Sequence, residues 1–102
     1  MHRARDELEH EEWLDVLESA GESLDLDSET RSQAREVFLS AVPDAQRSKR
    51  AAVAAALYVA GILTGNRRSQ ETVADAVGVA RLTVQNRWRD QMAAAGFEPP
   101  EW

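Results

Sequence analysis

Residues 51–63 read AAVAAALYVAGIL and are apolar in every direction around a helix. A helix with no polar face has to be surrounded by other helices, because any exposed side would leave apolar surface in water. The run is also shorter than the roughly 18–20 residues that a membrane-spanning helix needs. We therefore predict a soluble, cytoplasmic, all-α protein in which this segment is the central helix.

Two amphipathic helices are predicted before the central one. In residues 7–20 the apolar side chains recur at the i, i+3, i+4, i+7 spacing of one helix face, at Trp13, Val16, Leu17 and Ala20. We expect Gly21 to end this helix. The second helix is expected to begin at a cap formed by Asp27 or Ser28 and to be stopped by Pro43, whose ring cannot continue a helix.

Two short helices follow the central one and are separated by a tight turn. Ser69 is expected to cap the fourth helix, with Glu71 in its first turn, where the helix dipole favours an anion. Gly78 closes this helix at a position that needs a positive φ. The fifth helix starts near Ala80 and continues to about Ala95. This arrangement predicts a helix-turn-helix.

The predicted architecture is one five-helix domain, which suits a chain of 102 residues. We expect residues 1–27 to form an acidic N-terminal helix that packs on or precedes the core. Residues 28–95 are expected to form the core itself. The tail, residues 96–102, contains two prolines and is expected to lie along the surface or to be disordered.

The charge of the chain is unevenly distributed. The formal net charge is −6, and Lys49 is the single lysine. An acidic, arginine-using composition is typical of halophilic proteins, whose carboxylates keep them hydrated in concentrated salt; an ordinary acidic protein from a GC-rich genome is the alternative. Residues 47–92 nevertheless hold 8 Lys and Arg against 3 Asp and Glu. Such a basic block indicates a local anion-binding surface.

The fifth helix has side chains suited to reading DNA. A helix-turn-helix places the N-terminal half of its second helix in the major groove. There Arg pairs with guanine, Asn or Gln pairs with adenine, and an apolar side chain contacts a thymine methyl. The candidates are Arg81, Leu82, Gln85, Asn86 and Arg89. Arg67 and Arg68, just before the fourth helix, are placed for phosphate contact; an αα-hairpin with a solvated arginine-bearing face is the alternative.

The same stretch resembles a cyclin-like repeat of the archaeal transcription factor B and eukaryotic transcription factor IIB family, most closely the second repeat. The resemblance covers about residues 28–93 and is carried by residues 58–60, Gln70-Glu71, Gly78-Val79 and residues 83–89, which read TVQNRWR. It implies a five-helix cyclin-like fold with a C-terminal helix-turn-helix. It also implies duplex DNA and a TATA-binding protein as partners.

Departures from the family pattern change what is expected. The family carries an N-terminal zinc ribbon and two repeats, whereas these residues contain no cysteine and one repeat. We therefore expect no polymerase recruitment of the usual kind. Family members read a promoter element through an Arg at the position of Gln85, and the neighbouring contact position holds Leu82, which implies altered or lost specificity. Phosphate contact is expected to persist through Arg67, Arg68, Arg87 and Arg89.

No catalytic constellation can be assigned. His2 and His10 are the only histidines, and His10 lies among glutamates that form either a metal site or, as we favour, a solvated helix face. We expect no enzyme activity, no metal and no cofactor.

Two functions remain. The first is a DNA-binding transcription regulator, which at this net charge needs a homodimer or a TATA-binding protein for useful affinity. The second is a cyclin-box interaction module that binds a TATA-binding protein or another regulator without sequence-specific DNA contact.

Overall fold

The fold is built from α-helices alone throughout residues 10–101, the part of the chain that the computed structural model describes. The helices are α1 (Glu11–Ser23), α2 (Ser28–Ser40), α3 (Gln46–Thr64), α4 (Gln70–Val77) and α5 (Arg81–Ala94). The predicted all-α class and its five helices are confirmed over this range.

Helix α3 lies at the centre, as its all-round apolarity predicts. Every residue from Ala51 to Gly61 is buried, and each of the other four helices contacts α3. Four aromatic side chains are also buried, those of Trp13, Phe38, Tyr58 and Trp88. The rings of Tyr58 and Trp88 meet edge to face at 5.4 Å, which fixes α5 against the middle of α3.

The predicted end of the first helix is wrong. Helix α1 continues through Gly21 to Ser23, and residues 7–9 of the predicted helix lie outside the described range. The termination signal is Asp25, which adopts a left-handed φ of 59°. The Leu26 N–H then bonds the Gly21 carbonyl at 3.0 Å and the Asp25 N–H bonds the Glu22 carbonyl at 3.0 Å. This Schellman arrangement satisfies the last carbonyls of α1.

Helix α2 begins at one of the two caps that were expected. The Asp27 side chain accepts a hydrogen bond from the Thr30 N–H at 2.9 Å. The Thr30 N–H and hydroxyl hold the pKa of Asp27 below its usual value, and the Arg31 charge lowers it further. The helix ends at Ser40, three residues before Pro43.

Helix α1 shares its buried surface with the rest of the domain. Trp13, Leu14, Leu17 and Ala20 belong to the same apolar cluster as α3. None of the helices between residues 10 and 101 combines the length and apolarity needed to cross a lipid bilayer.

Candidate nucleic-acid interface

Helices α4 and α5 form the predicted helix-turn-helix. The Ser69 hydroxyl caps α4 by accepting a hydrogen bond from the Thr72 N–H at 3.0 Å. Gly78 ends α4 with a φ of 87°, and its N–H bonds the Ala74 carbonyl at 2.8 Å. Helix α5 then starts after Ala80, whose methyl side chain cannot accept a capping hydrogen bond. The first turn of α5 therefore keeps its positive dipole end without a capping oxygen from Ala80.

Buried apolar side chains fix how α5 is rotated. Val73, Val77 and Val84 are at most 3% exposed, and Trp88 is 1% exposed. Because residues four apart lie on the same helix face, Val84 and Trp88 define the inward stripe of α5. The polar residues between them have to point outward.

One side of α5 carries most of the predicted base-reading residues. Arg81, Leu82 and Gln85 are all exposed, and Leu82 reaches 58%. Leu82 stands in the first turn of the helix. The Arg81 guanidinium lies 3.4 Å from the Gln70 side-chain oxygen. That contact brings Arg81 beside the N-terminal residue of α4.

Two other predicted residues border a groove on the α2 side of α5. Asn86 and Arg87 line a groove of about 340 Å³ between α5 and the end of α2. At 100° per residue, Arg87 lies about 160° from Gln85 around the helix axis. Asn86 is exposed near the crest between the two sides, whereas Arg87 is half-buried. The predicted set therefore does not form a single patch.

Arg89 is engaged within the domain. Its Nη1 donates a hydrogen bond to the Pro100 carbonyl, and its guanidinium lies 4.5 Å from the centroid of the Trp88 ring. The side chain is half-buried. The tail thus lies against α5, and its backbone occupies one donor of a predicted DNA contact.

Arg68 holds the start of α4 against the end of α1. Its Nε donates to the Leu24 carbonyl at 3.0 Å and its Nη2 donates to the Asp25 carbonyl at 3.2 Å. Its Nη1 donates to the Asn66 carbonyl at 3.1 Å. Arg67, by contrast, is exposed. The two neighbouring arginines therefore have different surroundings.

Two polar residues position α4 and α5, although the sequence did not predict either of them as part of the site. Gln91 is 3% exposed, and its amide donates to the carbonyl of Val37 at 3.0 Å. Arg50 donates to the Val77 carbonyl at 2.9 Å and lies over the Trp13 ring. Gln91 ties α5 to the end of α2, and Arg50 ties the end of α4 to α3. The basic residues around α3 could have indicated Arg50, but no local pattern indicates a partner for Gln91.

The electrostatics of this surface are mixed. Helix α5 has no acidic residue before Asp90, whereas α4 exposes Glu71 and Asp75. The arginine-bearing side of α5 is thus the part suited to an anionic ligand. Within the described residues, no group of three or more His, Asp or Glu side chains is arranged to hold a metal ion.

Four helices around a buried central helix, the last two of them forming a helix-turn-helix, define a cyclin-like domain within the described residues. Residues 12–94 match the transcription factor TFIIB repeat. The chain therefore belongs to the TFIIB repeat family. The match includes α1, whereas the resemblance was expected to begin near residue 28.

Full-length initiation factors show the same relationship. The chain is 38% identical over 79 residues to transcription initiation factor IIB of Archaeoglobus fulgidus, covering 74% of this chain and 24% of that protein. It is 35% identical over 80 residues to transcription initiation factor IIB of Methanosarcina mazei, covering 76% and 24%. For transcription initiation factor IIB 2 of Thermococcus kodakarensis the identity is 28% over 90 residues, covering 85% and 29%. The chain thus spans about a quarter of the length of these curated relatives.

Proposed function

We propose that this domain is a transcription regulator that binds duplex DNA through the first two turns of α5. The observation that carries the proposal is the exposed trio Arg81, Leu82 and Gln85 on a helix whose other side is anchored by buried Val84 and Trp88. A rigid helix with an arginine, an amide and an apolar side chain at its start supplies the three kinds of contact used to read base edges.

Phosphate contacts are proposed at the start of α4. Arg67 is exposed just before the Ser69 cap, and Arg81 lies beside Gln70. Backbone N–H groups at a helix N-terminus attract anions, and nearby guanidinium groups add to that attraction. Arg68 has a smaller part in this proposal than the sequence predicts, because three of its hydrogen bonds go to backbone carbonyls.

The acidic face of α1 restricts how a duplex approaches. Glu11, Glu12, Asp15 and Glu22 are exposed on α1. Their repulsion orients the domain so that α4 and α5 face the phosphates. With few cations at the contact, binding is weak for one copy alone, and we propose that a homodimer or a TATA-binding protein supplies the second attachment.

The test is a titration of labelled duplex DNA with this protein over a range of potassium chloride concentrations. Arg67→Ala is expected to reduce the slope of log affinity against log salt by about 0.9, the value for one lost phosphate contact. Arg81→Ala is expected to weaken binding at least about fivefold, because a base contact worth about 1–3 kcal/mol is lost. Arg35→Ala on α2 removes the same charge from a residue outside α4 and α5 and serves as the matched control. Equal affinities for the parent and the Arg81 variant would remove α5 from the interface.

The groove beside α2 favours a second candidate function, protein binding. Its lining combines the small side chains Ala41 and Ala94 with Asn86, Arg87 and Asp90. A partner helix or loop would find both apolar contact and hydrogen bonds there. If Arg87→Ala weakens capture of a TATA-binding protein while Arg81→Ala does not, the interaction-module function is favoured over DNA binding.

A further inference from the structure

We propose that the C-terminal segment, residues 97–101, is an autoinhibitory strap that competes with DNA phosphate for Arg89. The inference rests on the proposed DNA-binding function of α5. It adds regulation of that surface: affinity is set by whether the strap lies on the helix or has left it.

The path of the strap is set by the end of α5. Gly96 has a φ of 94°, and the Phe97 N–H returns to the Met92 carbonyl at 3.1 Å. This left-handed turn sends the chain back along the helix instead of away from it. By Pro100 the strap lies within hydrogen-bond distance of the guanidinium of Arg89, which stands five residues before the last residue of α5.

The contact engages the group that DNA would need. The Arg89 guanidinium donates to the Pro100 carbonyl and is held over the Trp88 ring. A phosphate oxygen and a backbone carbonyl are both acceptors for guanidinium, so the Nη1 hydrogen that is donated to Pro100 is lost to a phosphate oxygen while the strap is docked. Arg89 is about 40° from Gln85 around the axis of α5, which places it on the side proposed to face DNA.

The charge of the strap adds to this competition. Glu98 and Glu101 flank the two prolines, and both are exposed. Two carboxylates on the strap repel a phosphate backbone that approaches Arg89 while the strap is in place. The prolines limit the conformations of the free segment, so less entropy is lost when the strap docks.

The experiment is a two-by-two comparison of duplex affinity and its salt dependence. Its four proteins are the full chain, the chain without residues 98–102, Arg89→Ala, and the combination of the two changes. Removing the strap is expected to tighten binding about three- to tenfold at low salt and to steepen the salt slope by about 0.9, the value of one gained phosphate contact. Most of this gain is expected to vanish in the Arg89→Ala background.

Two further variants separate the contact from bulk charge. Asp15→Asn with Glu22→Gln removes two exposed carboxylates from α1 and reports the general effect of net charge. Gly96→Ala keeps every charge but strains the turn that aims the strap, since its φ of 94° is unfavourable for alanine. It is expected to tighten binding in the same direction as the truncation.

The outcomes distinguish the two proposals. If the full chain binds duplex and truncation changes nothing, or gives the same gain without Arg89, the strap proposal is wrong and the DNA-binding proposal stands. If none of the proteins binds duplex, both proposals are wrong.

Discussion

The side chain of Arg68 donates to the Leu24 carbonyl across 3.0 Å, joining the start of the helix-turn-helix to the end of α1. Arg68 also donates to the Asp25 carbonyl. The two hydrogen bonds join the turn between α3 and α4 to the turn between α1 and α2. The neighbouring Thr30 and Thr64 hydroxyls meet at 2.8 Å and join α2 to the end of α3. Helix α4 is therefore held by polar contacts at its start and by apolar packing along its length.

The first prediction compares two adjacent arginines. Arg68→Ala is expected to lower the free energy of unfolding by about 2–3 kcal/mol, since charged hydrogen bonds to partly buried carbonyls are lost. Arg67→Ala removes the same charge from an exposed position and is expected to cost less than about 1 kcal/mol. Urea denaturation in concentrated potassium chloride measures both values. Equal costs would mean that the Arg68 contacts do not hold α4.

The second prediction concerns the two sides of α5. Trp88→Ala is expected to lower the free energy of unfolding by about 3–5 kcal/mol, because a large buried ring leaves a cavity. Leu82→Ala is the control, expected within about 0.5 kcal/mol of the parent because Leu82 is already 58% exposed. Thermal unfolding followed by circular dichroism provides the comparison. A stable Trp88 variant beside an unfolded Leu82 variant would show that α5 is rotated differently.

The third prediction tests the buried amide of Gln91. Gln91→Leu leaves the carbonyls of Val37 and Ala41 without this donor and is expected to cost about 1–3 kcal/mol at every pH. Gln91→Glu places a carboxyl beside the same carbonyls, which raises its pKa in the folded protein. Its cost is therefore smallest below the unfolded-state pKa and grows as the pH rises through the raised folded-state pKa.

Chemical denaturation measures the free energy of unfolding of the two Gln91 variants between about pH 4 and 8. This is roughly the range over which a buried carboxyl ionises. A Gln91→Glu variant whose stability follows that of Gln91→Leu at every pH would place this side chain in water instead of against α2.

The fourth prediction follows from the lowered pKa of Asp27. The Thr30 N–H and hydroxyl favour the carboxylate, so its stabilising effect is complete above the usual aspartate pKa of about 3.9. That effect is lost as the pH falls through the lowered folded-state pKa. Asp27→Asn keeps a capping oxygen but cannot titrate, so the stability difference between parent and variant is expected to shrink below about pH 4.

Urea denaturation of both proteins at a series of pH values isolates this difference, because all other carboxyls titrate alike in the two. A difference that stays constant on acidification would show that the Asp27 charge does not stabilise α2.

The sequence predicted a helix or its end correctly wherever neighbouring residues alone determine it. The all-round apolarity of residues 51–63 indicated the centre, and Ser69 and Gly78 marked the ends of α4 by the hydrogen bonds and φ that each residue type favours. The end of α1 was missed because Gly21 suggests a stop, whereas the left-handed residue is Asp25. Aspartate adopts that conformation less often than glycine, so the sequence signal was weak.

The surroundings of the candidate site were harder to predict for a different reason. Arg68, Arg89 and Gln91 all donate to backbone carbonyls, and every residue type presents such an acceptor. No spacing of side chains therefore marks the partner. These contacts depend on how distant segments meet, which only the folded chain determines.

The central claim is that duplex DNA meets this domain on the first two turns of α5. The most direct measurement is an amide NMR spectrum of isotope-labelled protein, recorded as unlabelled duplex is added. We expect the largest shift changes on residues 81–86 and on residues 67–71, with the signals of α1 nearly unmoved. Changes concentrated on the exposed carboxylate face of α1, or an unchanged spectrum at saturating duplex in low salt, would contradict it.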